Sequence, residues 1–220
     1  MAPRIIFEAE LKRLQEDVEE IGMAVQALYI KLFCAYSKKK TDELIEITKS
    51  DRDIHVMQRN IESSCLNLIT KQQPIARDLR QVTAALKAVN DISRIGDQCA
   101  DIGELLLRMK LKDISEFSPH LSDMIARTKE QLSEATDAFA KKDITVAEEV
   151  IKKDDLVDDL FNLVKDDLIA HLKEDGKDPD DCVDVLMIAK HLEKIGDHAV
   201  NMAEWNIFRE TGAINNIRLL

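Results

Sequence analysis

Turn-forming and aromatic residues are scarce in this 220-residue chain, which has six Gly, four Pro and only 4% Phe, Trp and Tyr. A β-rich protein of this length needs more of both, for tight turns and for pleated faces. Also missing is any apolar run near the roughly 20 residues of a membrane-spanning helix, and the N-terminus carries no signal-peptide core. Cys34, Cys65, Cys99 and Cys182 are far apart with no C-x-x-C spacing. Neither a zinc knuckle nor a dithiol redox motif is visible, and all four read as reduced core residues of a cytoplasmic protein. Enzyme signatures are absent too: no Glu-x-x-His pair, H-E-x-x-H, P-loop or G-x-S-x-G. Positive charge is in deficit, and the net charge of −11 speaks against nucleic acid or an anionic membrane as main partner.

What is present is helical. Hydrophobic residues make up 45% of the chain, enough for a core, and the abundant types favour helix. Phe7, Leu11, Leu14, Val18, Ile21, Val25, Leu28 and Leu32 recur at alternating steps of four and three, the seam of a long helix that stops near Ser37 to Lys40. Thr41 or Asp42 can cap a second helix reaching about Gln72, with Ile54, Ile61, Cys65 and Leu68 on its buried side. Pro74 breaks the chain, and Asp78 favours the start of a third helix to about Lys110. The pattern restarts after Ser115 to Pro119. Leu121, Ile125, Thr128, Leu132, Ala135 and Phe139 repeat the first seam at an offset of 114, and Val157, Val164 and Leu168 repeat the second at an offset of 103. The fifth helix is expected from about Asp143 to Glu174. Asp175-Gly-Lys-Asp-Pro179 then marks a stop and restart, and a sixth helix runs to about Arg209. The chain is therefore expected to be all-α, a tandem duplication of two three-helix bundles, residues 1–112 and 113–220.

The sixth helix contains His191-Leu-Glu-Lys-Ile-Gly-Asp-His-Ala-Val-Asn-Met-Ala-Glu204, and the third contains Asp91-Ile-Ser-Arg-Ile-Gly-Asp-Gln-Cys-Ala-Asp-Ile-Gly-Glu104. On a helix, Glu193, Asp197, Asn201 and Glu204 share one face, as do Asp97, Asp101 and Glu104. Like charges four apart each cost a helix about 0.2–0.5 kcal/mol. The second helix of each half adds another i, i+4 pair at matching positions, Asp51 with His55 and Asp154 with Asp158. Two packed helices can join such pairs across their groove, which is how metal sites are built in helical bundles. Carboxylates suit Mg, Mn or Fe, and a mixed carboxylate and His set also suits Zn. Any one such pair alone is more often a solvated face; the repetition in both halves is what favours metal. Gly96 and Gly196, each next to the acid, fit either that reading or close helix packing.

These residues carry a family resemblance. Ile95-Gly-Asp97 and Leu192 to Glu204 resemble the signature helices of the PhoU phosphate-uptake regulators. Gln73-Pro-Ile-Ala-Arg-Asp-Leu-Arg80 resembles that family's turn before the third helix, and Asp154-Asp-Leu-Val-Asp158 its second-helix motif. The resemblance implies two three-helix bundles related by a pseudo-twofold axis and divalent or trivalent metal ions in multinuclear clusters. It also implies a cytoplasmic negative regulator of phosphate uptake that is not an enzyme. Such a regulator commonly forms a homodimer and couples the ATPase subunit of a phosphate transporter to a sensor histidine kinase. Carried over by position, the second site consists of Asp154, Asp158, Glu193 and Asp197, followed by Asn201. The first keeps Asp51 and Asp97 but has Ser93 and His55 where the family has acids, with Asp101 as a candidate substitute. On this basis the second site is expected to be the better metal binder. The rival readings are a metal-dependent hydrolase or oxidase and a coiled-coil spacer without metal.

Overall fold

A computed structural model describes residues 3–173, 179–214 and 217–219, with the side chains of Pro3 and Arg4 outside that description. Among these residues the order is α1 (Pro3–Ser37), α2 (Thr41–Ile47), α3 (Asp51–Gln72) and α4 (Ala76–Arg108). A short 3-10 turn (Ile114–Glu116) follows, then α5 (His120–Lys141), α6 (Ile144–Lys152), α7 (Asp154–His171) and α8 (Pro179–Thr211). A two-stranded hairpin, β1 (Ala213–Ile214) with β2 (Ile217–Arg218), lies beyond α8. The seams read from the sequence are the buried ones. Leu14 to Leu32 of α1, Ile54, Ile61, Cys65 and Leu68 of α3, and Val157, Val164 and Leu168 of α7 are all buried, while Phe7, Leu11 and Ile125 are partly so. The expected restart at Asp175 to Pro179 lies outside the described residues except for Pro179, the first residue of α8.

Two expectations need correction. The second and fifth helices are each broken rather than continuous. At the first break, Lys49 and Ser50 donate to the carbonyls of Glu46 and Ile47 (3.1 and 3.0 Å), a tight i to i−3 pattern. The Thr48 and Ser50 hydroxyls donate back to Ile45 and Glu46, an arrangement that bends helices without Pro or Gly. At the second, Lys153 ends α6 and precedes α7, and its ammonium is drawn toward Glu134 on α5 (2.6 Å). Cys34 is the other correction. Cys65, Cys99 and Cys182 are buried, but Cys34 is exposed because it falls between the α1 seam positions Leu32 and Ala35.

The duplication organises the packing. α4 and α8, the third helices of the two halves, form the most extensive helix pair, and the first helices α1 and α5 also touch. One continuous apolar cluster runs through both halves, so the repeats share a core. The α4–α8 contact contains a polar layer that obeys the repeat offset of 100. Asp91, buried, accepts from Asn201 Nδ2 (3.1 Å) and pairs with His198 Nδ1 (2.9 Å). At the equivalent positions His191 Nδ1 meets Gln98 Oε1 (2.6 Å) and lies 3.8 Å from Asp101. Near the C-terminus of α4, Arg108 and Lys112 pair with the buried Asp184 and Asp181 in the first turns of α8. Both pairs put acids at a helix start and cations at a helix end.

Candidate metal centres

The break between α2 and α3 makes Asp51 the first residue of α3, with His55 one turn later on the same face. Across the groove α4 presents Asp97. Ligating atoms of Asp51, His55 and Asp97 lie within 4.8 Å of one another, and all three side chains are half-buried. Among the described residues no other trio of His, Cys, Asp or Glu converges so closely. Helices approach this far because Gly96 has no side chain: a Cβ there would stand 3.3 Å from Ile54 Cγ2. Close packing and site formation are therefore one feature, since the glycine lets Asp97 reach α3.

His55 is held at both ring nitrogens. Nε2 faces Asp97 Oδ1 at 2.9 Å. Nδ1 lies 2.9 Å from Ser93 Oγ and 3.1 Å from Gln58 Oε1. Gln58 Oε1 can only accept, so that contact takes the Nδ1 proton; Asp97 Oδ1 also only accepts, so a cation bound between it and Nε2 would take the place of a proton at that nitrogen. That is the arrangement of a metal-ligating histidine whose second nitrogen is anchored by outer partners. Arg94 Nη1 donates to the outer oxygen of Asp97 (3.1 Å), from a side chain that is largely exposed. Two carboxylates and one imidazole fit Zn, Fe or Mn.

The second centre repeats the plan with a different balance. Asp154 is the first residue of α7 and Asp158 follows a turn later, while α8 presents Glu193 and Asp197. Burial raises the Asp154 carboxyl above its usual range. A hydrogen bond from Gln131 Nε2 (2.9 Å) opposes this, and Asp197, Asp155 and Glu193 push it further up. Asp158, at the exposed rim, is raised by partial burial and then by Asp154, Glu193 and Asp197. Four acids are thus close enough to repel one another. Lysines provide some relief: Lys194 bonds Asp197, and Glu193 Oε2 lies 2.7 Å from Lys190 and 3.4 Å from Lys194 without a well-aligned hydrogen bond. An all-carboxylate set of this kind fits hard cations. Here a Cβ on Gly196 would meet Gln131 Oε1 at 2.9 Å, so the glycine makes room for the amide that holds Asp154.

Two of the residues singled out by sequence lie elsewhere. Asp101 is exposed and turned toward His191, and Asn201 donates to Asp91; both belong to the polar layer between α4 and α8. Sequence reading passed over Gln58 and Gln131, which orient His55 and Asp154. Gln58 could have been found, as it stands one helical turn after His55. Gln131 comes from α5, and only the fold brings it close. Ser93, read as a lost ligand, is instead the partner of His55.

Comparison with known proteins agrees with this arrangement. The family described as the PhoU domain matches twice, over residues 18–106 and 121–205. A phosphate-specific transport system accessory protein PhoU homolog of Clostridium acetobutylicum is 32% identical, covering 95% of this chain and 96% of that one. A PhoU homolog 1 of the same description from Methanothermobacter thermautotrophicus is 33% identical, again over 95% and 96%. Among solved structures, PhoU from Pseudomonas aeruginosa superposes with a TM-score of 0.88 at 26% identity, covering 94% of this chain and all of that one. The phosphate transport system regulatory protein PhoU from Streptococcus pneumoniae gives 0.86 at 26% identity, with coverages of 96% and 100%.

Proposed function

The chain belongs to the PhoU domain family, and from that premise we propose that it is an accessory protein of phosphate transport that restrains phosphate uptake and phosphate-starvation signalling. The observation that carries the reading is the double family match over a chain whose two halves each hold clustered metal-type donors at equivalent positions. In this role the protein works by docking rather than by catalysis, in contact with the transporter ATPase subunit and a sensor histidine kinase. No helix among the described residues is long and apolar enough to cross a membrane, which accords with action at the transporter from the cytoplasmic side.

Asp51, His55 and Asp97 would hold one metal centre; Asp154, Asp158, Glu193 and Asp197 would hold the other. A bound cation supplies positive charge between carboxylates that otherwise repel. The residues do the rest. Asp51 and Asp154 open α3 and α7 immediately after a break, so tying them to α4 and α8 fixes the angle at which the outer helices leave the core. Docking surface on those helices is then presented in one orientation. At the second centre Lys194 engages one oxygen of Asp197, so that carboxylate would ligate through the other.

The test compares chelator-treated protein with protein loaded with Zn, Mn or Mg, measuring binding to the ATPase subunit and to the kinase. Metal-loaded protein should bind more tightly. Identical binding in both states would remove metal from the mechanism, and no binding in either state would remove the adaptor role. Elemental analysis of protein purified without chelator or His-tag identifies the ion. Assays with phosphoesters and with O₂, with and without metal, should show no turnover.

A further inference from the structure

The two ends of the α4–α8 pair are built differently. At one end each cation meets an aspartate, Arg108 with Asp184 and Lys112 with Asp181. At the other, the first turns of α4 bring Arg77 and Arg80 beside the last turns of α8, which carry a third cation, Arg209; Arg80 Nε approaches the Arg209 carbonyl (3.5 Å). Lys142, the left-handed C-cap of α5 with φ 58°, joins them. The acids in reach are Glu210, 3.4 Å from Arg77 Nη2 and 3.6 Å from Arg209 Nε, and, further out, Glu19. Cations outnumber acids here, in a chain whose net charge is −11.

Arg209 is 3% exposed. Its Nη2 donates to Phe139 O (2.8 Å) and to Asn206 Oδ1, and its guanidinium lies over the Phe139 ring. Its Nε has no hydrogen bond, and neither has the facing Glu210 Oε1. Burial pushes the Arg209 guanidinium down to about 10. Burial also lowers the Lys142 ammonium, and Arg209 and Arg77 are among the charges that add to the effect. Among the described residues the Lys142 ammonium makes no hydrogen bond or ion pair; only its backbone N–H is engaged, by the Ala138 carbonyl. Arg209 and Lys142 line a cleft together with Gln15, Gln81, Leu14 and Val18. Its enclosed part, about 20 Å³, has room for a single oxygen-sized group.

We propose that Arg77, Lys142 and Arg209 form a binding site for a small inorganic oxyanion such as phosphate or sulfate, with one oxygen entering the cleft. Gln81 is its neutral partner, since the Gln15 amide already donates to Glu19 Oε1 (2.9 Å) and Ala140 O (3.4 Å), and Glu210 competes for the same cations when the anion is absent. Asp97 lies 17 residues further along α4 than Arg80, roughly 25 Å at 1.5 Å per residue, so the site is separate from the metal donors.

The test titrates chelator-treated full-length protein with phosphate, sulfate and chloride at fixed ionic strength, by calorimetry. Phosphate and sulfate should each saturate one site per chain and chloride none. Lys142→Asn keeps a residue that tolerates the left-handed backbone, and it should weaken binding roughly tenfold or more, as should Arg77→Gln. Glu210→Gln should tighten it. Absence of saturable binding, unchanged affinity in Lys142→Asn, or loss of binding in Glu210→Gln would each overturn the proposal. Oxyanion binding that appears only after metal is added would also overturn it, by placing the anion at the metal donors. Binding to metal-free protein supports it whether or not the adaptor reading survives.

Discussion

The two candidate metal centres occupy equivalent places and relieve the same crowding by different means. In the second half Asp158 and Glu193 add to Asp154 and Asp197, and Lys190 and Lys194 offset part of the repulsion. In the first half the same two positions hold His55 and Ser93, which are bonded to each other. The exchange removes two negative charges and installs an anchored imidazole. The first centre consequently gathers its donors within 4.8 Å, while the second keeps more acids but already engages two of them with lysine. A count of acids and a measure of preorganisation therefore rank the two centres in opposite order.

Several changes would sharpen or break that contrast. The largest effect is expected from His55→Ala. Zn affinity at the first centre should fall by about a hundredfold or more, beyond the 10–100-fold typical of outer-shell losses, with the second centre unaffected. Competition against a chromogenic chelator reads both, and a uniform drop would mean the centres are not independent. Ser93→Ala should cost the first centre roughly tenfold through a looser imidazole; an unchanged affinity would show that Gln58 alone orients the ring. Lys194→Met acts in the other direction. It frees Asp197, so Mn or Mg should bind the second centre a few-fold more tightly, whereas weaker binding would make Lys194 a supporting residue. Arg94→Met is the matched control at the first centre.

The smallest effect concerns the polar layer. Burial lowers the His191 imidazole below its usual range, opposed in part by Asp101. The unfolded chain therefore takes up the proton first. Stability should decline as pH falls through the ordinary imidazole value, near about 6.5, toward the lower folded value. His191→Gln should flatten that limb of the unfolding profile. An equally steep limb in the variant would assign it to other groups.

The helices were legible because alternating steps of four and three leave little freedom: Leu14 through Leu32 could be buried in one way only. The breaks before Asp51 and Asp154 were not, because hydroxyl back-bonding and the pull of Glu134 on Lys153 leave no Pro or Gly behind. Within the candidate site, offsets of 103 and 100 matched Asp51 with Asp154 and Asp97 with Asp197, and the fold places each pair at equivalent helix positions. Asp101 and Asn201 misled for a geometric reason. A step of four residues turns a helix past a full circle by about 40°, enough to carry the side chain from the groove facing α3 or α7 to the one between α4 and α8. The acidic face is real in the sequence, yet two helices share it.

The continuous core gives the duplication a further meaning. The two family matches, ending at residue 106 and resuming at 121, divide the sequence but not the packing, and a first half made alone would bare the side of α4 that α8 now covers. The surface that fits such a face best is its own copy. A single repeat that paired with its own copy would use the α4–α8 contact as its twofold interface. In that reading Asp91 opposite His198, and His191 opposite Gln98, are what two once identical positions became after fusion released each from matching the other.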